Sequence, residues 1–311
     1  MLLPIWFGGS VAFIYGIIVG SFLNVCIYRF PEEQSVVSPP SHCPKCNTKL
    51  KGMDLVPLFS FLLLGRKCRY CRTPISWRYF TIELITGLMF VWTYLKFGYP
   101  AHLFVGLHVD PGYAIDFFAY VLFLSALIIA FVVDLDHWII PDQVPIAGVI
   151  IGLGRDVAHL IAGDGQLVRI PLPFTDFRLP MLQSVVGLVV CGGLFYLIAF
   201  VSYYVFRPKE AEKLEEYEGA MGGGDVKLAA AIGAVVGMVP GLVSFMIAVF
   251  LGTIAGVAFI LVKARSEKKG VPWRTEIPFG PYMVAGSLAV IMWYPQIEQA
   301  WKMWVRFITP G

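Results

Sequence analysis

Apolar runs long enough to cross a hydrocarbon core recur from one end of this chain to the other, and nothing else in it restricts the fold as strongly. A bilayer core about 30 Å thick requires about 20 apolar residues in a helix. Eight stretches meet or approach that length, at roughly 7–27, 79–97, 114–133, 144–163, 182–205, 226–240, 241–262 and 279–297. The sixth and seventh share one apolar block, which Met238-Val-Pro-Gly241 divides into a short helix and a longer one. Within lipid a segment must satisfy its own backbone polar groups, so these runs predict helices. Hydrophobic residues make up 58% of the 311 and charged residues only 14%, far from the balance of a soluble domain. The expected fold is an all-α polytopic membrane protein with about eight transmembrane helices.

Basic residues orient such a chain, because loops rich in Lys and Arg stay in the cytoplasm. Nine follow the first span: Arg29, Lys45, Lys49, Lys51, Arg66, Lys67, Arg69, Arg72 and Arg78. The 206–217 loop adds three, the 263–274 loop five, and Lys227 lies just inside the sixth span. These alternate loops hold 18 of the 24 Lys and Arg, so they are expected inside and both termini outside. The net charge of +3 reflects that bias and is no nucleic-acid signal. The first apolar run lacks a basic leader and a small-residue cleavage site, and so reads as a retained helix.

Between the first two spans the composition changes abruptly. Residues 31–78 are rich in Pro, Lys, Arg and Cys, and form a cytoplasmic module between a first helix (1–30) and a membrane core (79–311). They contain Cys43-Pro-Lys-Cys46 and Cys68-Arg-Tyr-Cys71, separated by 21 residues. Two such pairs bring four thiolates to one tetrahedral metal, and a reducing compartment disfavours disulfides. A structural zinc ribbon is the reading; four protein ligands leave no open position for chemistry. Two redox pairs are the alternative, though no βαβ pattern surrounds either. Cys26 and Cys191 lie in spans and read as small packing residues.

Further along, the loop around 155–180 carries Pro171, Pro173 and Pro180 and is expected to hold a short strand pair. The acidic 206–221 segment reads as a solvated continuation of the fifth helix.

The chemistry concentrates in two acidic stretches. Asp134 ends the run Ala126-Leu-Ile-Ile-Ala-Phe-Val-Val133 and opens Asp134-Leu-Asp136-His-Trp-Ile-Ile-Pro141-Asp142. Asp225 closes Gly222-Gly223-Gly224 and begins another apolar stretch. A carboxylate at membrane depth is costly and by default functional. Two of them, 91 residues apart, suggest a proton-sharing acid/base pair. Asp136 would point about 200° away from Asp134 on a helix and reads as a solvated charge. Asp142 reads equally as a further site carboxylate or as an acid or cap at a helix start. The glycines before Asp225 permit close backbone approach. Lys227 either steadies local charge or snorkels to the lipid interface. At Pro278-Phe-Gly-Pro281 regular helix breaks; the break either pairs with an extended substrate or simply admits the last helix.

Taken together, the motifs resemble the bacterial type IV prepilin peptidases, which are GxGD-type intramembrane aspartic proteases. The resemblance covers most of the chain. It runs through Gly20-Ser-Phe-Leu-Asn-Val-Cys-Ile-Tyr-Arg-Phe-Pro31, the two cysteine pairs, and Ile75-Ser-Trp-Arg-Tyr79 with Glu83. It continues through the Asp134 stretch, Gly222-Gly-Gly-Asp-Val-Lys-Leu228 and Ile277-Pro-Phe-Gly-Pro281. The chain departs from the family at Asp54-Leu55-Val56-Pro57, where Asp-Asn usually precedes the Ile/Val-Pro, and in a longer loop near 155–180.

The resemblance implies two reactions at the cytoplasmic face of the bacterial inner membrane. One removes the leader of type IV prepilins or pseudopilins after a glycine, with Asp134 and Asp225 as the catalytic pair. The other methylates the freed amine from S-adenosylmethionine, with Asn24, Arg29 and Glu83 as candidates for that site. For Glu83 the alternative is a salt bridge to Arg29 or Arg78. Two other classes compete. An ion-coupled transporter would place the aspartates at midplane and show repeat symmetry; a non-enzymatic assembly scaffold would use the zinc module for docking. Only a protease shortens a pilin without energy input.

Overall fold

The computed structural model describes residues 5–98, 104–105, 108–109, 111–165, 167–171, 178–205, 221–266 and 278–308. Helices dominate it, in the order α1 (Ile5–Arg29), α2 (Phe59–Leu63), α3 (Trp77–Thr93), α4 (Pro111–His137) and α5 (Gln143–Ala162). They continue with α6 (Gln183–Val205), α7 (Gly223–Val236), α8 (Met238–Ser266) and α9 (Gly280–Ile308). Two antiparallel strand pairs complete the described residues: β1 (Phe104–Val105) with β2 (His108–Val109), and β3 (Leu167–Pro171) with β4 (Arg178–Leu182). The second is the strand pair expected near 155–180, with Leu167 opposite Leu182. The acidic segment 206–220 and the basic 267–277 lie outside the described residues.

Eight apolar helices stand where eight spans are expected, and six of them are long and apolar enough to cross a bilayer: α1, α3 with its extension to Phe97, α4, α5, α6 and α8. This is a multi-pass membrane protein. The two remaining helices differ for physical reasons. Helix α7 has only 14 residues, about 21 Å at 1.5 Å per residue. It is buried almost all round from Leu228 to Val236, as a helix enclosed by other helices must be. In α9, Trp293 leaves helical geometry two residues before Pro295, whose ring kinks the helix. The break between α7 and α8 falls at Gly237, with φ +90°, and not within Met238-Val-Pro-Gly241. Pro240 instead sits in the first turn of α8, where its missing N–H has no intrahelical role.

The chain divides into two compact units, Met1–Val133 with Val157–Gly165, and Asp134–Asp156 with Gln166–Gly311. In the first, α1 and α3 touch through glycine. A Cβ on Gly16 would lie 2.7 Å from the Gly87 Cα, and one on Gly20 would lie 2.8 Å from the Glu83 Cα. Gly16 and Gly20 form the small-xxx-small spacing that lets membrane helices meet backbone to backbone. In the second, α6 and α7 do the same: a Cβ on Gly187 would run into the Gly233 carbonyl, and one on Gly233 into the Gly187 carbonyl. Cys191 is fully buried beside them and Cys26 is buried in α1, both as packing residues.

Candidate active site and metal centre

Within the second unit, three helix ends converge on Asp134. It lies three residues before the end of α4 and is only 5% exposed. The Gly280 amide, at the start of α9, is directed at its carboxylate, yet Oδ2 makes no regular hydrogen bond. A Cβ added to Gly280 would collide with that same oxygen. Asp225 occupies the first turn of α7 and is half-buried, close enough to Asp134 for the two charges to interact. Between the starts of α7 and α9 sits Ile140, 9% exposed, from the connection that follows α4. Its Cβ is 3.1 Å from where a Gly224 Cβ would stand, and its Cδ1 is 3.3 Å from the Gly280 position. A bulkier residue at Gly224 would press on Ile140, and one at Gly280 on Asp134 first and Ile140 second, so the sequence keeps this site compact partly by leaving side chains out.

Helix α4 continues past Asp134 to His137, and the chain reverses at Trp138, with φ +60°. Asp136 is exposed, in keeping with its opposite direction on the helix. Asp142 stands immediately before α5, where its carbonyl accepts from Ile146 N–H at 3.2 Å, and its carboxylate takes the Lys227 ammonium at 2.6 Å. That pair links the Ile140 connection to α7 and gives Lys227 a carboxylate partner.

In the first unit, Cys43, Cys46, Cys68 and Cys71 carry free thiols whose Sγ atoms all lie within 4.8 Å of one another. The Cys43 and Cys71 sulfurs are 3.8 Å apart. Tetrahedral zinc with bonds of about 2.3 Å places its sulfurs ~3.8 Å apart, so the set fits one such ion. The two halves are built alike. Cys43 N–H donates to Thr48 O at 3.0 Å, and Asn47 N–H to Cys43 O at 2.8 Å, with Asn47 at φ +54°. Twenty-five positions later, Cys68 N–H donates to Thr73 O at 2.9 Å, and Arg72 N–H to Cys68 O at 3.0 Å, with Arg72 at φ +59°. The sequence carries the same echo, Cys-x-x-Cys-x-Thr from Cys43 to Thr48 and again from Cys68 to Thr73. Asp54 ties the halves together. It accepts from Arg69 Nε at 2.6 Å, from the Tyr70 hydroxyl at 2.9 Å and from Lys51 N–H at 3.0 Å.

The three residues considered for methyl transfer all sit where this module joins α1 and α3. Asn24 Nδ2 donates to the Gly20 and Tyr79 carbonyls at 3.3 and 3.2 Å. Glu83 makes no ion pair with Arg29. Its Oε2 accepts from Leu58 N–H at 2.8 Å, and the Ser21 hydroxyl also bonds it. The Arg29 guanidinium instead donates to the Ser35 and Pro39 carbonyls, at 2.7 and 2.6 Å. The reason is supply: the loop after α1 and the start of α2 leave carbonyls and an amide without helical partners, and buried backbone groups must be satisfied. Sequence reasoning passed over Ile140 and the reason for Gly280; only the Pro278-Phe-Gly-Pro281 break hinted at the latter.

The geometry agrees with what the chain resembles. Residues 14–97 match the family model for the bacterial peptidase A24 N-terminal domain, and residues 121–257 that of the type IV leader peptidase family. A prepilin leader peptidase/N-methyltransferase of Myxococcus xanthus is 32% identical, over 96% of this chain and 94% of the relative. One of Bacillus subtilis is 28% identical, over 91% and 94%. A type 4 prepilin-like proteins leader peptide-processing enzyme of Escherichia coli is 32% identical, over 90% and 92%. No solved structure matches the chain. With relatives of this identity along nearly its whole length, the chain belongs to the prepilin leader peptidase/N-methyltransferase family.

Proposed function

We propose that this protein is a bifunctional membrane enzyme: an aspartic endopeptidase that removes the leader of type IV prepilins and pseudopilins after glycine, and an N-methyltransferase acting on the residue so freed. Asp134 and Asp225 form the peptidase pair. The observation that carries this is the buried Asp134 Oδ2, left without a regular hydrogen bond beside a second carboxylate. A buried polar atom without a partner costs stability, and such atoms persist where function needs them.

Two neighbouring carboxyls cannot both ionise cheaply, so they share one proton. The ionised member takes a proton from water as that water attacks the scissile carbonyl. The protonated member hydrogen-bonds the carbonyl oxygen, and the leaving amine departs with a proton returned by the pair. The roles belong to the pair and not to either residue.

Zinc, held by Cys43, Cys46, Cys68 and Cys71, folds the module and takes no part in hydrolysis. S-adenosylmethionine supplies the methyl group when bound. Asn24, Arg29 and Glu83 lie at the junction of the module (31–78) with the membrane helices, where they hold the methyl-transfer site in shape through the backbone. The module and both aspartates face the cytoplasm of the bacterial inner membrane, and both termini lie outside.

Purified protein incubated with a prepilin in detergent yields a shortened pilin without added energy. Asp134→Asn and Asp225→Asn each abolish that product while the protein stays in the membrane. Substantial cleavage by either purified variant rejects the pair.

A further inference from the structure

We propose that Gly280 is a positioning residue for the peptidase, seating the Asp134 carboxylate through its amide and through the absence of a side chain. This rests on the reading of Asp134 and Asp225 as the catalytic pair. Three observations carry it. The Gly280 amide is directed at the Asp134 carboxylate, from the first residue of α9, where a helix leaves its N–H groups without internal partners. A Cβ at 280 would collide with Asp134 Oδ2 and stand 3.1 Å from Asp134 Cγ. The same Cβ would stand 3.3 Å from Ile140 Cδ1, so Ile140 limits how far the new methyl group can shift away from the carboxylate.

What requires glycine here is contact and not backbone freedom. Gly163 and Gly237 have φ of +85° and +90°, a conformation that disfavours any side chain. Gly280 is not among the residues with positive φ, so alanine can adopt its backbone. Its methyl group must then push either the carboxylate or Ile140. Asp134 is nearer, and its Oδ2 has no regular hydrogen bond to hold it in place. The carboxylate therefore moves, and a displacement of about 1 Å in a catalytic group costs about 100-fold in rate.

Gly286, in the same helix, supplies the comparison. Its Cβ would collide with the Ser244 carbonyl on α8, so that glycine serves packing alone.

The test measures steady-state cleavage of a prepilin, methyl transfer to an already processed pilin, and thermal melting in detergent, for Gly280→Ala, Gly286→Ala and Asp134→Asn. Gly280→Ala is expected to lower kcat about 100-fold with KM nearly unchanged, and to retain methyl transfer and melting temperature. Gly286→Ala is expected to lower the melting temperature and to keep kcat in the folded fraction. Adding Ile140→Val to Gly280→Ala removes Cδ1 and is expected to restore part of kcat. Three results overturn the proposal: an unchanged kcat in Gly280→Ala, a loss of cleavage that tracks lost methyl transfer and melting temperature, or a double variant with no recovery. Cleavage by Asp134→Asn overturns instead the catalytic reading on which the proposal stands.

Discussion

The Lys227 ammonium and the Asp142 carboxylate meet at 2.6 Å, across 85 residues of sequence, and join the connection carrying Ile140 to the helix carrying Asp225. Both side chains are more than half exposed, at 54% and 61%. An exposed ion pair contributes about 0–1 kcal/mol, so its value lies in placing Ile140 more than in stability. Asp142→Asn and Lys227→Gln are each expected to leave the melting temperature almost unchanged. Each is expected to slow cleavage by no more than about fivefold, the rate equivalent of ~1 kcal/mol. Raising salt should narrow the gap between these variants and the parent protein, because screening weakens the pair.

The cysteine module makes a separate prediction. Cys43→Ser and Cys71→Ser each remove one of four sulfurs gathered within 4.8 Å, and should strip the metal measured by elemental analysis. Glu83 and Arg29 fasten this module to α3 and α1 through Leu58, Ser35 and Pro39, so its unfolding loosens the proposed methyl-transfer residues. Methyl transfer to processed pilin is expected to be lost, while leader cleavage keeps most of its rate. Equal loss of both activities would refute the division of labour.

A pH dependence follows from Asp54. The Arg69 guanidinium that hydrogen-bonds it, helped by the Lys51 amide and the Tyr70 hydroxyl, holds its carboxyl below the usual carboxylate range. A group whose folded pKa is depressed stabilises the fold above its unfolded pKa, about 3.9 for Asp, and loses that contribution as pH falls through the folded value. The module in Asp54→Asn should therefore be less stable than in the parent protein at pH 7. The difference should persist down to pH 5 and shrink toward zero in stronger acid. Chemical denaturation followed at several pH values checks the sign.

Helix contacts offer a fourth check. A methyl group on Gly187 has no space beside the Gly233 carbonyl, whereas nothing lies within 4 Å of a Cβ on Gly193. Gly187→Ala should cost about 1–3 kcal/mol, the usual range for overpacking. Gly193→Ala, six residues along the same helix, should be near neutral. Detergent denaturation of the two variants side by side gives the comparison.

Much of this architecture was legible in the chain because lipid imposes so few choices. Apolar length alone located eight helices, and paired cysteines located the module. Two acidic residues at the margins of apolar runs, one near the end of α4 and one in the first turn of α7, marked the proposed reacting groups. One miss has a plain cause: sequence shows which side chains are present, whereas closeness around Ile140 depends on side chains that are missing. Gly224 and Gly280 make room for Ile140, and Ile140 itself looks like one more apolar residue in a loop. The alternative pairing of Glu83 with Arg29 is not formed: Glu83 accepts the main-chain amide of Leu58, which no residue type announces. Pro240 looked like a helix breaker, yet a proline in a first turn interrupts nothing; the neighbouring Gly237 makes the break.

The 14 residues of α7 have a consequence for the reagent that hydrolysis consumes. A rod of about 21 Å cannot reach both surfaces of an oil layer about 30 Å deep. Because α7 is walled by protein from Leu228 to Val236, its neighbouring helices and not lipid must make up that shortfall. Any water that meets Asp225, in the first turn of the rod, therefore arrives between protein groups while the tails outside stay dry.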